Sequence, residues 1–354
     1  MKSSRHTYMD VLRILAIYLV LLNHLPANRI YMRESGMAEV AALAFAVFVK
    51  INVPTFAMIS GALLLGKEEN VRTLWSKRIA RFLLVIPVFS MLLYICFWRL
   101  RHRAFNLTEL FYGIFEGNLK DFTSYWFLYA YLGFLLVLPF LRHIAKAMTK
   151  GEFILLLSLN LLLTAGFPLL NFGLQHFDLQ PIVLSKSINT SLATAVLLFY
   201  PLIGYYLDKK IDVSQISQDK WIKLLAACVT GSAITAAVAY TSGKESGFHE
   251  QYIALFNVIN VITIFLVSKR FFNTGFNEKH PKIVRLLSVI APLVFGVYLL
   301  DPCFKLLVYE PLKAATWHTL HPFGFSILCA TLSFACCAAI TYLLRLIPFF
   351  QKML

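Results

Sequence analysis

The sequence predicts an all-α polytopic membrane protein with about ten transmembrane helices and both termini on the cytoplasmic side. Three observations predict this. Of 354 residues, 59% are hydrophobic and only 14% are charged, and the mean hydropathy is +0.70. The apolar residues gather into runs of about twenty, the length a helix rising about 1.5 Å per residue needs to cross a hydrocarbon core of about 30 Å. The 33 Lys and Arg fall mostly between those runs, and unequally on alternate sides. The net charge of +15 does not point to nucleic acid, because the basic residues are spread between spans rather than collected in one soluble block. Membrane lipids, the anionic ones above all, are the partner such a distribution suits.

Taken in order, the first run is 8–25. It follows Lys2 and Arg5 as the core of a signal peptide would, but no small-x-small cleavage pattern follows Leu25 and Arg13 interrupts the apolar stretch. It is read as a retained span. The second run, 39–65, is long and contains Pro54, which predicts a kink or a re-entrant segment. Runs at 79–98, 125–141, 153–170, 190–207, 221–240 and 250–267 each meet the twenty-residue criterion. The ninth, 286–304, is interrupted by Pro292, Asp301 and Pro302, and the tenth covers 324–347.

With the N-terminus, the even-to-odd connections and the C-terminus on one side, that side holds 21 Lys and Arg against 10 on the other. The richer side is expected to be cytoplasmic. No internal repeat appears, and residues 1–354 are read as a single membrane domain without an appended soluble one. The six cysteines lie in or beside apolar stretches with no C-x-x-C pair, so they are expected as small buried hydrophobes. No metal is expected.

The ionisable residues inside spans carry the functional signal, because a charge in hydrocarbon costs about 3 kcal/mol or more and is placed there for a reason. Asp10, Arg13 and His24 share one stripe of the first helix. Eleven steps of about 100° return to nearly the same face, and the rise separates Arg13 from His24 by about 16 Å. Lys77, Arg78 and Arg81 stand at the cytoplasmic start of the third span. Arg78 and Arg81, at i and i+3, face the same way, and guanidinium forks suit phosphate oxygens. Basic residues also collect at such helix ends through the positive-inside bias alone.

Lys50 lies well inside the second span, and Ser60-Gly61 there permits close approach of a neighbouring helix or ligand. Tyr125 and Trp126 begin the fourth span. Residues of this kind at that place commonly anchor a helix in the interface, and they can also form an aromatic platform for a sugar or a lipid-linked acceptor. Asp301 could orient His24 by accepting its N–H, and helix-end solvation is the plainer account. The loop holding Arg99, Arg101, His102, Arg103, Glu116 and Asp121 reads as a headgroup-contacting segment.

Taken together these residues resemble the acyltransferase-3 family of membrane acyltransferases, and most closely the members that O-acetylate bacterial surface polysaccharides. Arg13 and His24 match the family's Arg-ten residues-His pattern, with Asp10 in its usual place. Lys50 through Gly61 is similar to the V-P-x-F…S-G stretch behind a basic residue. Arg78 and Arg81 resemble its R-x-x-R, Trp126 through Tyr129 its W-[FY]-L-Y, and Tyr298 through Asp301 its Y-L-I-H. Asp301 stands where the family often has His, and Tyr125 where many members have His before Trp.

The resemblance implies an acyl-CoA donor, most often acetyl-CoA, on the cytoplasmic side of a bacterial inner membrane. It implies transfer to a hydroxyl of a cell-surface glycan or a lipid-linked acceptor. In that reading Arg13, Lys77, Arg78 and Arg81, with Lys50 and Ser60, serve the donor. His24 acts as general base or acyl relay, supported by Asp10, Arg13 and Asp301, and Tyr125 and Trp126 stand on the acceptor side. Imidazole suits the role of a base near neutral pH. The alternative is an exporter of polysaccharide or small anions, with Arg13, His24, Lys50 and Asp301 lining a path.

Overall fold

The computed structural model describes residues 6–25, 32, 34–100, 105–117, 125–185, 187–243, 252–316 and 321–354. Lys2 and Arg5 of the basic start, and Arg101, His102, Arg103 and Asp121 of the loop after the third span, lie outside them. Among the described residues the regular structure is entirely helical. We number the main helices α1 (Thr7–Asn23), α2 (Met37–Val49), α3 (Asn52–Leu64), α4 (Val71–Arg99), α5 (Leu107–Glu116), α6 (Trp126–Ala147), α7 (Lys150–His176), α8 (Val196–Lys209), α9 (Gln218–Thr241), α10 (Asn257–Phe271), α11 (Pro281–Lys313) and α12 (Pro322–Leu344).

Among the described residues, seven segments are long and apolar enough to cross a membrane: α2 with α3, then α4, α6, α7, α9, α11 and α12. The other three expected spans fold as shorter helices, α1 with 17 residues, α8 with 14 and α10 with 15. At about 1.5 Å per residue they run about 21–26 Å, short of the full hydrocarbon thickness. Burial gives the reason. Leu12, Ala16 and Ile17 of α1, Phe199, Leu202 and Ile203 of α8, and Val261 and Phe265 of α10 are all 0% exposed. A helix enclosed by protein can end at membrane depth, because its terminal backbone groups meet protein rather than lipid. By contrast only 17% of the most apolar stretch of α7 is buried.

Contacts group the chain into two compact units, Met1–Gly66 with Leu141–Ser288, and Lys67–Phe140 with Val289–Leu354. In the first unit α3 and α8 cross at backbone contact. A Cβ on Gly61 would overlap the Pro201 carbonyl, and one on Gly204 would overlap the Met58 carbonyl. Small residues at a membrane helix crossing permit this approach, and here only glycine fits.

The ends of these helices are closed by side chains. Lys269 donates from Nζ to the carbonyls of Leu207, Asp208 and Ile211 at 2.8–3.0 Å, and so caps the C-terminal end of α8. Tyr8 of α1 donates its hydroxyl to Asp208. Arg142, itself buried, donates to the Leu64 carbonyl at the end of α3. The start of α7 is set by a capping box between Thr149 and Glu152.

In the second unit the sequence 71–100 is helical throughout, with a π-helical turn over Leu74–Ile79. Aromatic rings run in series from α4 to the start of α6. Phe295 meets Phe82 (5.7 Å), Phe82 stacks on Tyr131 (5.0 Å), Tyr131 meets Phe127 (5.8 Å), and Phe127 and Tyr125 both meet Tyr298 (6.0 and 6.1 Å). Offset and edge-on ring contacts of this kind add about 0.5–1.5 kcal/mol each beyond their area.

Candidate active site

The first unit holds Asp10, Arg13, His24, Lys50 and Ser60. At one end of α1, Arg13 Nη1 lies 3.1 Å from Asp10 Oδ1, as i and i+3 positions allow. Asp10 is almost wholly buried in the first turn, where the helix dipole favours an anion, while the Arg13 side chain is 32% exposed. The guanidinium is therefore anchored through Nη1 on a side chain that remains partly accessible.

At the other end of the same helix, His24 occupies the C-cap. Its backbone N–H bonds to the carbonyls of Val20 and Leu21 at 3.0 and 3.2 Å, and the residue is half-buried. The preceding residue, Asn23, accepts from Lys50 Nζ at 3.3 Å. Lys50 is where the second span breaks. Its carbonyl would ordinarily accept from the N–H four residues on, but that residue is Pro54, which has none and whose ring crowds that carbonyl. The helix accordingly stops at Val49 and restarts at Asn52.

The Lys50 carbonyl freed by Pro54 accepts instead from Asn257 Nδ2 at 2.9 Å. Asn257 Oδ1 is buried with no hydrogen-bond partner among the described residues. The end of α1, the α2–α3 break and the start of α10 thus meet. They bring an ammonium and two amides to the residues next to an imidazole. Pro54 predicted the kink, but sequence gave no sign of Asn257. Ser60 takes a quieter place: its hydroxyl bonds to the Phe56 carbonyl of its own helix at 2.9 Å. The close helix approach is made by Gly61.

The second unit holds Lys77, Arg78, Arg81, Tyr125, Trp126 and Asp301. Lys77 and Arg78 belong to the π-helical turn, a distortion often found at functional sites. Arg78 Nε lies 2.9 Å from Glu69 Oε2, and Lys77 is exposed. Arg81 donates from Nε to the Met353 carbonyl (2.8 Å) and from Nη2 to that of Leu354 (3.3 Å), and it stands over the Phe295 ring at 5.1 Å.

The neighbouring residues Tyr125 and Trp126 diverge. Trp126 is 48% exposed, as an interface anchor should be. Tyr125 is not an anchor: it is buried, with its hydroxyl donated to the Leu299 carbonyl at 2.6 Å. The reason is that the Leu299 carbonyl offers the phenol a partner inside the unit. Asp301 is buried one helical turn on from Tyr298 and accepts from Ser333 Oγ of α12 at 2.8 Å. Ser333 was not singled out in the sequence, since a serine in an apolar span gives no sign of its partner.

In a scan against known families, residues 6–342 match the family model described as an acyltransferase domain. No curated protein and no solved structure matches the chain. The family match takes in both units and runs from α1 to α12, and the helices it covers are those of a multi-pass membrane protein. The chain belongs to the acyltransferase-3 family and is a membrane acyltransferase.

Proposed function

We propose that the protein is an O-acyltransferase that moves an acyl group, acetyl being the commonest in the family, from cytoplasmic acyl-CoA to a hydroxyl. The acceptor is a cell-surface glycan or a lipid-linked intermediate. The setting is a bacterial inner membrane holding about ten helices, the seven long spans with α1, α8 and α10 enclosed among protein, and both termini inside. The arrangement at the end of α1 carries this reading: His24 caps the helix, and its neighbour Asn23 is held by Lys50 at the proline break. About 16 Å along the same helix, Arg13 presents a guanidinium anchored by Asp10. That separation is comparable to an extended pantetheine arm.

In this reaction His24 takes the proton of the acceptor hydroxyl, whose oxygen forms a bond to the thioester carbonyl carbon. The C–S bond breaks, and the CoA sulfur leaves and takes up the proton. Arg13 binds the phosphate-bearing end of the donor. Arg78, Arg81 and Lys77 are assigned to donor binding as well, Arg78 in exchange for its bond to Glu69. Tyr125, Trp126 and Asp301 are assigned to the acceptor side.

The test is transfer of labelled acetyl from acetyl-CoA to the envelope fraction of cells expressing the protein. His24→Ala should abolish the label at normal expression, and His24→Ala that still acetylates would remove His24 from the mechanism.

A further inference from the structure

Helix α5 lies between two spans and belongs to neither. Its sequence, LTELFYGIFE, sorts into three directions around the axis at about 100° per residue. Leu110 and Gly113 face the protein and are buried. Leu107, Phe111 and Phe115, at i, i+4 and i+8, form a second stripe about a quarter-turn or more away. They are 68%, 58% and 72% exposed. Glu109 and Glu116 lie about 150° around from Phe111, on the side opposite this stripe. A helix buried in protein has no use for the third direction, and a helix in water has no use for the second.

The supports of α5 fix its level. At its start, Asn106 caps the helix by accepting from the Glu109 N–H. The backbone of Asn106 exchanges hydrogen bonds with the Tyr94 hydroxyl of α4, both at 3.1 Å. At its end, Tyr129 of α6 donates its hydroxyl to the Ile114 carbonyl, and its ring lies 3.3 Å from where a Cβ on Gly117 would be. Gly117 has φ +67°, a left-handed helix stop that glycine accepts without strain. Tyr94 is five residues inside the end of α4, about 7 Å, and Tyr129 three residues inside the start of α6, about 5 Å. Alpha5 is therefore held about one to one and a half turns inside the ends of two candidate membrane spans.

We infer that α5 is an interfacial membrane-binding helix, and that the Leu107–Phe111–Phe115 stripe is occupied by bilayer lipid at the headgroup–acyl boundary. Glu109 and Glu116 face water. Aromatic residues favour the membrane–water interface, and a stripe of three large exposed apolar side chains opposite a charged and hydroxylated side, Glu109, Tyr112 and Glu116, is the amphipathic division a helix lying in the membrane plane requires. Through Tyr129 the helix also ties the Trp126–Tyr129 stretch to the bilayer surface. The inference needs only that the chain sits in a membrane and is independent of the reaction it catalyses.

The unmodified full-length protein in phosphatidylcholine nanodiscs provides the test. A phosphatidylcholine carrying a photoactivatable diazirine high on its acyl chain is activated, and adducts are mapped by mass spectrometry. Hydroxyl-radical oxidation is mapped in parallel. The inference predicts lipid adducts on Phe111 and Phe115 and oxidation of both rings at least about fivefold slower than in the protein unfolded in denaturant. Rings oxidised at the unfolded rate without lipid adducts would overturn it. Protection without lipid adducts, but with cross-links from α5 to a second copy of the chain, would also overturn it and assign the stripe to a protein partner.

Discussion

Asn257→Leu removes the donor that satisfies the Lys50 carbonyl while keeping a side chain of similar size. Pro54 denies that carbonyl its helical partner, and Asn257 Nδ2 at 2.9 Å replaces it. An acceptor left unpaired away from water costs about 1–3 kcal/mol. Hydrogen bonds between membrane helices measured by double-mutant cycles average nearer 0.6 kcal/mol, because the unfolded chain in lipid also finds partners. The expected loss is thus about 1–2 kcal/mol, a shift of about five- to thirtyfold in the folded-to-unfolded ratio.

A second substitution tests the cause. Pro54→Ala restores a backbone N–H at the position from which a helix would donate to Lys50. Lys50 (φ −67°, ψ −9°) and Ile51 (φ −70°, ψ −11°) are already close to helical, so little movement is needed. In the double variant most of the Asn257→Leu loss should return, giving a coupling of about 1 kcal/mol. The assay is unfolding of the protein in mixed micelles as the denaturing detergent rises, with circular dichroism as the readout. An Asn257→Leu variant within about 0.3 kcal/mol of the parent, or full additivity with Pro54→Ala, would refute the reasoning.

Gly61→Ala and Gly204→Ala should each destabilise by about 1–3 kcal/mol and toward the upper end, because the obstructing atoms are backbone rather than movable side chain. The same unfolding assay reads this, and Gly133→Ala, where a Cβ meets nothing within 4 Å, is the control. Glu69→Gln should free Arg78 and raise acyl-CoA affinity a few-fold in equilibrium binding, whereas Arg78→Ala should lower it; unchanged affinity in both would leave the pair as a topology signal only. Lys50→Met should leave the protein folded and lower the rate of acetyl transfer about tenfold or more in the labelled-acetyl assay, through loss of the bond to Asn23 beside His24.

Which features were legible in the sequence follows from how local each one is. Asp10 and Arg13 sit at i and i+3, so their ion pair could be anticipated from helix geometry alone. Pro54 announced a break, and the break falls at Lys50 and Ile51, where the missing N–H matters. The partners that complete the arrangement are distant: Asn23 and Lys50 are 27 residues apart, and Lys50 and Asn257 are 207. Nothing in an isolated Asn257 distinguishes it from any other polar residue at a helix start.

Hydropathy found the apolar runs of α1, α8 and α10, but not their short lengths. An apolar residue facing protein and one facing lipid look alike in sequence. The burial of Tyr125 was hidden for a related reason. Next to an exposed Trp126 it has the composition of an interface anchor, and only the Leu299 carbonyl 174 residues away shows why it turns inward.

The central claim, that this family member takes its acyl group from CoA and holds the donor at Arg13, is tested most directly by equilibrium binding of acetyl-CoA to the purified protein in nanodiscs. The account predicts saturable binding that is lost in Arg13→Ala and kept in His24→Ala. Well-folded protein that binds neither acetyl-CoA nor longer acyl-CoAs, or that binds them equally well without Arg13, would contradict it.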